Sequence, residues 1–145
     1  MLYDVERTTF SCGMLFSLIG FSTHKRGVIK MSYYFFGVYY ARLSGCSGTS
    51  IQSGNRPVII VSKKNNSSLV SVIPLTSKEK KDMLTHVSLK VDCLQQNQRI
   101  PKDSTALVEQ TIILPKKDLL KFYGRLKPEY ARKIQEALKR HFGLK

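Results

Sequence analysis

Apolar residues recur in short runs along most of the chain, and polar or turn-forming residues separate the runs. Residues 57–62 and 69–75 are mostly apolar, as in buried strands, whereas residues 85–91 alternate as in a half-buried strand. Residues 34–43 and 104–114 are rich in aromatic and β-branched residues, which favour strands. The pattern therefore predicts a succession of strands over these ranges.

Two helices are predicted after the last strand. Pro115 suits the first turn of a short helix that runs through Phe122. A second helix begins near Pro128 and ends at Gly143, and its apolar residues follow a helical spacing: Ala131, Ile134, Leu138 and Phe142. Nothing helical of crossover length separates the strands, which disfavours a parallel α/β fold. We expect a mainly β fold, a compact barrel or curled sheet with flanking helices.

The first thirty residues differ from the rest. Residues 10–21 are an apolar run of 12 residues, shorter than the roughly 20 that span a bilayer. Asp4 and Glu6 precede this run, where a signal peptide carries positive charge, so secretion is disfavoured. We expect residues 1–30 to be a dispensable extension and residues 31–145 to form the domain. A membrane-tethering or partner-binding arm is the alternative for the extension.

Charge points to a polyanionic partner. The chain has 24 Lys and Arg against 10 Asp and Glu, a formal net charge of +14. Such an excess favours nucleic acid first and an acidic protein second. The three cysteines are widely spaced without a CxxC pair, so neither a zinc site nor a disulfide framework is indicated, and unpaired thiols fit a reducing cytoplasm.

The common catalytic constellations are missing from the sequence. The three histidines, His24, His86 and His141, are too far apart for a local metal motif, and neither a phosphate-binding loop nor a GxSxG elbow occurs. We therefore expect no metal and no cofactor. What remains is a set of polar and basic residues at the edges of predicted strands: Gln52, Arg56, Thr76, Ser77, Glu109, Gln110 and Thr111.

The segments GVYYARL, QSGNRPVIIVS, VIPLTS, THVSL, DSTALVEQ and a terminal FGL follow one another in the chain. In this order and spacing, from Gly37 to Leu144, they resemble the MazF/PemK toxin family. The resemblance implies a small SH3-like barrel of the type that CcdB shares, assembled as a homodimer. It also implies a cytoplasmic endoribonuclease that cleaves single-stranded RNA at short sequences without a metal. An acidic antitoxin protein, whose disordered tail would fold into the basic groove, is the implied second partner.

The resemblance also implies roles for single residues. Arg56, which follows the long loop of residues 44–55, matches the family's catalytic arginine, and Thr76 matches its catalytic threonine. Glu109 and Gln110 match a recurrent Glu-Gln pair with a binding or supporting role. The expected RNA-binding set is Gln52, Ser77, Lys78, Glu109 and Gln110. The chain departs from many relatives at Phe36-Gly37, where Gly-Asp is frequent, and at Ile51, where an acidic residue is common.

The residues themselves fit metal-free RNA cleavage, in which a 2′-hydroxyl attacks phosphorus and leaves a 2′,3′-cyclic phosphate and a 5′-hydroxyl. Arginine is always protonated and presents a planar fork of donors to phosphate. Arg56 would therefore stabilise the charge that develops on the phosphoryl oxygens. The general base stays unassigned, because arginine is a poor proton acceptor and His86, on an alternating strand, is more often structural. Alternation places Tyr34 and Tyr40 on one face of their strand and Tyr33 and Tyr39 on the other; most are expected in the core or a dimer interface, and one could stack on a base.

Two other functions remain open from the sequence. One is a non-enzymatic toxin of the same architecture that binds a protein such as DNA gyrase, through its C-terminal helix. The other is a plain RNA-binding module. The lysines after Thr76, at positions 78, 80 and 81, could follow the RNA backbone, and the alternative for them is a solvated connector.

Overall fold

The computed structural model describes residues 33–44, 51–63 and 66–145, and the predicted extension, residues 1–30, lies outside these ranges. The described residues belong to one compact unit, Tyr33–Lys145. Its elements are, in chain order, β1 (Gly37–Leu43), β2 (Gly54–Ile60), β3 (Leu69–Thr76), β4 (His86–Leu89), β5 (Ser104–Leu107), β6 (Ile112–Pro115), β7 (Leu119–Arg125) and α1 (Pro128–Phe142). Short 3₁₀ turns lie at Val108–Gln110 and Lys116–Asp118. The mainly β architecture predicted from the sequence is confirmed.

The strands form one antiparallel sheet in the order β4-β5-β3-β2-β1-β7, and β6 also pairs with β3. β6 and β5 share one side of β3, through the pairs Val72↔Ile112 and Leu75↔Ala106. Between these pairs β3 advances three residues (72 to 75), while its partner advances six (106 to 112). The three extra residues form the 3₁₀ turn Val108–Gln110, which we call the 108–110 turn. Like a β-bulge, an insertion of this kind changes the direction of the side chains beside a strand.

The sheet is buried on both faces, which explains the continuous apolar runs. Ile59 packs in a core cluster that includes Ile134 and Ala137 of α1. Its neighbours Val58 and Ile60 pack in a second cluster on the other face of the sheet. Because successive strand residues point to opposite faces, a strand covered on both sides needs apolar residues at every position.

Helix α1 has the bounds that the sequence predicts. Pro128 lies in its first turn, where the missing amide donor does least harm. Gly143 ends it in the left-handed conformation, at φ 68°, which glycine adopts without steric cost. The helix buries Ile134 and Ala137 against the sheet. No helix in the described part of the chain is both long and apolar enough to cross a membrane.

The short helix predicted from Pro115 through Phe122 is wrong. Pro115 ends β6, a single 3₁₀ turn follows, and Leu119–Arg125 is strand β7, which pairs antiparallel with β1. In this pairing Phe122 lies opposite Tyr39, and their rings are 4.9 Å apart between centroids. Long-range pairing and aromatic contacts outweigh the local signal of the proline. The strand predicted over residues 104–114 is likewise split in two by the 108–110 turn.

Candidate active site

The sheet register brings Arg56 and Thr76 together. In the β2–β3 pair Val58 lies opposite Pro74, and Ile59 lies opposite Ile73. Continued by two residues, the same register sets Arg56 opposite Thr76, and side chains that are directly opposite share a face of the sheet. One hydrogen bond across the strands agrees with this, since Arg56 Nη1 donates to the Leu75 carbonyl at 3.4 Å. The two residues that the sequence singles out are therefore cross-strand neighbours.

The guanidinium of Arg56 is held by neutral acceptors only. Nη1 also donates to Gln52 Oε1 at 2.5 Å, while Nε and Nη2 both donate to the Ser53 carbonyl, at 3.0 and 2.9 Å. Ser53 lies three residues before Arg56, so the chain entering β2 folds back over the side chain. No carboxylate among the described residues forms a salt bridge with this arginine. Its positive charge therefore remains available to an anion.

Thr76 closes β3 as a buried polar residue, with 4% of its surface exposed. Its hydroxyl oxygen accepts a hydrogen bond from the Lys78 amide at 3.2 Å, a local turn of the kind that Ser and Thr form. The hydroxyl proton is donated to no described residue. β3 also pairs Thr76 with Thr105 of β5, so the threonine is fixed from both sides. Such a side chain presents one hydroxyl in a defined place.

Gln52 and Gln110 complete the surroundings of the arginine. Gln110 Oε1 accepts a hydrogen bond from the Gln52 amide at 3.0 Å, and the Gln52 side chain accepts the one from Arg56 described above. Gln110 belongs to the 108–110 turn, so the register insertion places it at this end of the sheet. The structure thus joins three of the predicted site residues in one chain of hydrogen bonds.

Glu109 has different contacts. Its Oε1 accepts from the Thr85 hydroxyl at 3.0 Å, and its Oε2 lies 3.2 Å from His86 Nε2. His86 Nδ1 lies 2.7 Å from the Lys81 carbonyl. The carboxylate predicted beside Gln110 thus contacts the start of β4 rather than Arg56. The sequence carried no signal for this link, nor for the Ser53 carbonyl, because residue types do not show backbone contacts or side-chain direction.

Ser77 and Lys78 continue from Thr76 on the surface. Residues 77–84 connect β3 to β4 and are exposed throughout. Lys78 is tied to Thr76 through its amide, which fixes the first residues of the connector beside the arginine and threonine. The lysine side chains at 78, 80 and 81 are therefore at the surface, and the hydrogen bond places Lys78 next to the site.

Tyr39 and Tyr40 lie in β1, whereas Tyr33 and Tyr34, which were expected in the same strand, precede it. Tyr33 and Tyr39 are buried, Tyr34 is exposed and Tyr40 is half-buried. Burial raises the pKa of the Tyr39 hydroxyl well above its usual value, so this hydroxyl stays protonated. It accepts a hydrogen bond from the Tyr34 amide at 3.1 Å. Tyr39 therefore has a structural role.

The described residues contain no group of three or more His, Cys, Asp or Glu side chains placed to hold a metal ion. Among the cysteines, Cys93 is fully buried and unpaired. Burial raises the pKa of its thiol to about 11, so almost no reactive thiolate forms near neutral pH. Cys93 is a small core residue and not a nucleophile.

Comparison with known proteins identifies the family. The sequence model described as "PemK-like, MazF-like toxin of type II toxin-antitoxin system" matches residues 35–142. The fold is similar to the toxin MazF-mt6 of Mycobacterium tuberculosis, with 20% identity, a TM-score of 0.60, and coverage of 75% of this chain and 98% of that one. It is also similar to MazF from Deinococcus radiodurans, with 15% identity, a TM-score of 0.62, and coverage of 76% and 96%.

A third similar structure is an endoribonuclease from a mycobacterial species in complex with its cognate antitoxin, with 21% identity and a TM-score of 0.59. The similarity covers 79% of this chain and 98% of that one. No curated protein sequence matches the chain at a significant level. At these identities the structural likenesses establish the fold, and the match over residues 35–142 establishes the family.

Proposed function

This chain belongs to the PemK-like, MazF-like toxin family of type II toxin-antitoxin systems, and we propose that it is an endoribonuclease that cleaves single-stranded RNA at short sequences in the cytoplasm. The observation that carries the proposal is the cross-strand placement of Arg56 and Thr76 at one end of the β2–β3 pair. A permanently charged fork of donors and a fixed hydroxyl side by side suit a phosphodiester in which negative charge develops.

The Nε–Nη2 edge of Arg56 is the edge that a phosphate would take. Both donors now share a single carbonyl oxygen, that of Ser53. A phosphate offers two oxygens to the same edge and carries charge, so it forms shorter and stronger hydrogen bonds than the carbonyl does. Substrate binding would therefore displace the Ser53 carbonyl, while the contacts of Nη1 with Gln52 and Leu75 keep the guanidinium in place.

The chemical step uses the RNA's own nucleophile. The 2′-oxygen forms a bond to phosphorus, its proton goes to a base that stays unassigned, and the bond from phosphorus to the 5′-oxygen breaks. The leaving oxygen takes up a proton, which gives a 5′-hydroxyl, and the upstream sugar retains a 2′,3′-cyclic phosphate. Arg56 stabilises the phosphoryl oxygens as their charge grows, and the Thr76 hydroxyl donates to one of them.

Neighbouring residues would bind the rest of the RNA. Gln52 and Gln110 provide amide groups next to the arginine, which suit the hydrogen-bonding edges of unpaired bases. Ser77 and Lys78 are exposed just past Thr76, and Lys78 suits a backbone phosphate. The formal charge of +14 supports binding of a polyanion, and the affinity should fall steeply with salt.

The family supports two protein partners. Type II systems pair a toxin with an antitoxin protein, and the basic chain suits an acidic one whose tail folds on binding. The mycobacterial endoribonuclease of similar fold is in a complex with its cognate antitoxin. We also propose a homodimer, in which exposed apolar side chains of the sheet, such as Leu69 and Ile113, would be candidates for the buried surface.

A matched pair of oligonucleotides tests the cleavage chemistry. Purified protein is incubated with an RNA that it cuts, and with the same RNA carrying one 2′-deoxy nucleotide just 5′ of the scissile phosphate. We expect the deoxy substrate to bind but to resist cleavage, and the normal RNA to be cut equally well in excess chelator. Products should carry 2′,3′-cyclic phosphate and 5′-hydroxyl ends. Cleavage of the deoxy substrate at a normal rate, or inhibition by chelator, would refute the mechanism.

A protein-binding toxin is the second candidate function. The end of α1 exposes Phe142, and Leu144 follows it, with 58% and 63% of their surfaces accessible. Such apolar groups at a helix end suit contact with a protein target. This candidate predicts that growth arrest on expression survives Arg56→Ala and Thr76→Ala but is lost on Phe142→Ser, and the ribonuclease predicts the reverse.

A further inference from the structure

The His86–Glu109 contact lies outside the set of residues assigned to catalysis. The imidazole is nearly buried, with 8% of the side chain exposed, and the Glu109 side chain is 28% exposed. One carboxylate oxygen holds the Thr85 hydroxyl and the other faces His86, so Glu109 binds two consecutive residues at the start of β4. The far side of the imidazole reaches the Lys81 carbonyl in the connector that follows Thr76.

The partners of His86 determine how many protons the imidazole must carry for both contacts to be hydrogen bonds. A carbonyl oxygen and an ionised carboxylate can only accept hydrogen bonds. A neutral imidazole has one N–H and can donate to one of them, while its other nitrogen then turns a lone pair toward the remaining acceptor. Both contacts are hydrogen bonds only when both ring nitrogens carry protons. Histidine gains or loses this second proton between about pH 5 and pH 8.

The same 3₁₀ turn joins this contact to the arginine. Glu109 and Gln110 are adjacent in the 108–110 turn, and Gln110 accepts from the Gln52 amide. Gln52 in turn accepts from Arg56. The turn therefore anchors two segments that flank the site: the residues entering β2 through Gln110, and the connector after Thr76 through Glu109 and His86.

We propose that His86 and Glu109 form a proton-dependent positioning pair, which holds the 108–110 turn and the connector so that Gln52 and Arg56 are aligned for cleavage. The proposal rests on the ribonuclease function, and it assigns Glu109 to positioning rather than to direct RNA contact. With both imidazole nitrogens protonated the pair is closed. Loss of one proton breaks either the bond to Lys81 or the bond to Glu109 and loosens one of the two anchored segments.

Other charged groups also face His86 and modulate the pair. A groove of about 490 Å³ separates helix α1 from the start of β4, and His86 lines this groove. The charged residues of α1 on this groove are Glu129, Arg132, Lys133, Glu136 and Arg140. They carry both signs, two carboxylates against three cations. Glu109 is the carboxylate in direct contact with the ring, and its ionised oxygens can only accept a hydrogen bond from it.

The first test compares pH profiles. Cleavage of a defined RNA is measured across about pH 5 to 8 for the wild type, His86→Ala and the control His141→Ala, which alters an exposed histidine at the end of α1. We expect the His86→Ala deficit to be about tenfold at the acidic end and to shrink toward the alkaline end, where the wild-type pair has opened. The control should follow the wild type. A deficit that is equal across the range would show a merely structural histidine and overturn the proposal.

The second test uses Glu109→Gln, which changes the proton requirement. A glutamine amide can donate to the lone pair of a neutral His86 and can still accept from Thr85, so the contacts survive without the second imidazole proton. We expect Glu109→Gln to match the wild type in acid and to exceed it several-fold in alkali, whereas Glu109→Ala should be impaired throughout. A glutamine variant whose ratio to the wild type does not change with pH would contradict the pair.

A third measurement does not depend on RNA cleavage. Hydrogen exchange of the Gln52 backbone amide reports whether the 108–110 turn holds the residues entering β2, because this amide donates to the Gln110 side chain. We expect this amide to exchange about tenfold faster in His86→Ala than in the wild type, and at the wild-type rate in His141→Ala. If the wild type cuts no RNA but this acceleration appears, the positioning pair stands and the proposed function fails. If RNA is cut and Gln52 exchange is unchanged in His86→Ala, the pair fails and the function stands.

Discussion

Replacing Thr76 by valine isolates the hydroxyl that the proposed mechanism needs. Valine has nearly the same shape, so it removes the polar atom and leaves the volume of the buried site filled. The hydroxyl accepts a hydrogen bond from the Lys78 amide, and a bond of this kind contributes about 0.5–1.5 kcal/mol to folding. Lys78 is exposed, so water can replace the lost acceptor and the cost should lie at the low end.

The expected effect on catalysis is much larger. A donor that meets developing charge in the transition state is worth about 10²–10³ in rate. A destabilisation of about 1 kcal/mol lowers the midpoint of thermal unfolding by roughly 4–8 °C in a domain of this size. It leaves nearly all molecules folded when the total stability is about 5–15 kcal/mol. Loss of activity in Thr76→Val therefore cannot be attributed to unfolding.

Thr76→Ser is the matched control. Serine keeps the hydroxyl and loses a buried methyl group, which costs about 1 kcal/mol, so both variants should lose a similar small amount of stability. The assay is single-turnover cleavage of an end-labelled RNA at saturating protein, together with thermal unfolding of each variant. We expect the serine variant to retain activity within about tenfold and the valine variant to lose at least about 100-fold. Equal activity of the two variants, at any level, would refute the role assigned to the hydroxyl.

Further predictions concern the arginine, the core, the extension and the assembly. Arg56→Lys keeps the charge but loses the planar fork that holds Gln52 and Ser53, so single-turnover cleavage should fall by at least about 100-fold, while the unfolding midpoint falls by only about 4–8 °C because water can replace most of the lost hydrogen bonds. Ile134→Ala empties a fully buried position under α1 and should lower the free energy of unfolding by about 2–5 kcal/mol in denaturant titration. Deletion of residues 1–30 should leave cleavage and the unfolding midpoint unchanged, and a misfolded truncation would contradict this. Sedimentation should show a dimer at micromolar concentration, whereas a fully active monomer would contradict the proposed homodimer.

Most of the fold followed from hydrophobic periodicity. The strands around residues 57–62 and 69–75 were predictable because a sheet buried on both faces leaves continuous apolar runs. Helix α1 was predictable because Pro128 and Gly143 mark its ends by their own backbone chemistry. These signals are local, and the structure places the elements within a few residues of the predicted bounds.

The errors lie where pairing between distant residues decides the structure. Strand β7 follows a proline and two lysines that locally suit a helix, but β1 provides an edge to pair with and Tyr39 a ring to meet Phe122. The 108–110 turn cannot be read from its own residues, Val-Glu-Gln, which would suit a strand or a helix. It exists because β3 pairs with residues on both sides of it in registers that differ by three.

The residues of the candidate site also divide into those that the sequence predicted and those whose contacts depend on the folded structure. Arg56 and Thr76 were predicted from the resemblance to a family, and the structure places Gln52 and Gln110, two residues of the predicted RNA-binding set, beside the arginine. The direction of the Glu109 side chain was not predictable. Glu109 and Gln110 point different ways because they lie in a 3₁₀ turn, and the sequence does not show this turn. The Ser53 carbonyl was not predictable at all, since every residue has one.

The register of β2 against β3 links the hydrophobic core to the chemistry. Arg56 lies on the same side of β2 as Val58 and Ile60, and those two residues are buried in the second core cluster. A slip of one residue would move all three to the opposite face, and would set Arg56 against Leu75 or Ser77 instead of Thr76. The sheet is buried on both faces, so the slip would not expose Val58 and Ile60, but it would force them into a cluster packed around other side chains, and a misfitted buried side chain costs about 1–3 kcal/mol. The packing of the two clusters thus favours the alignment that sets Arg56 beside Thr76, so we expect a core substitution that shifts this register to abolish the proposed cleavage without touching either residue.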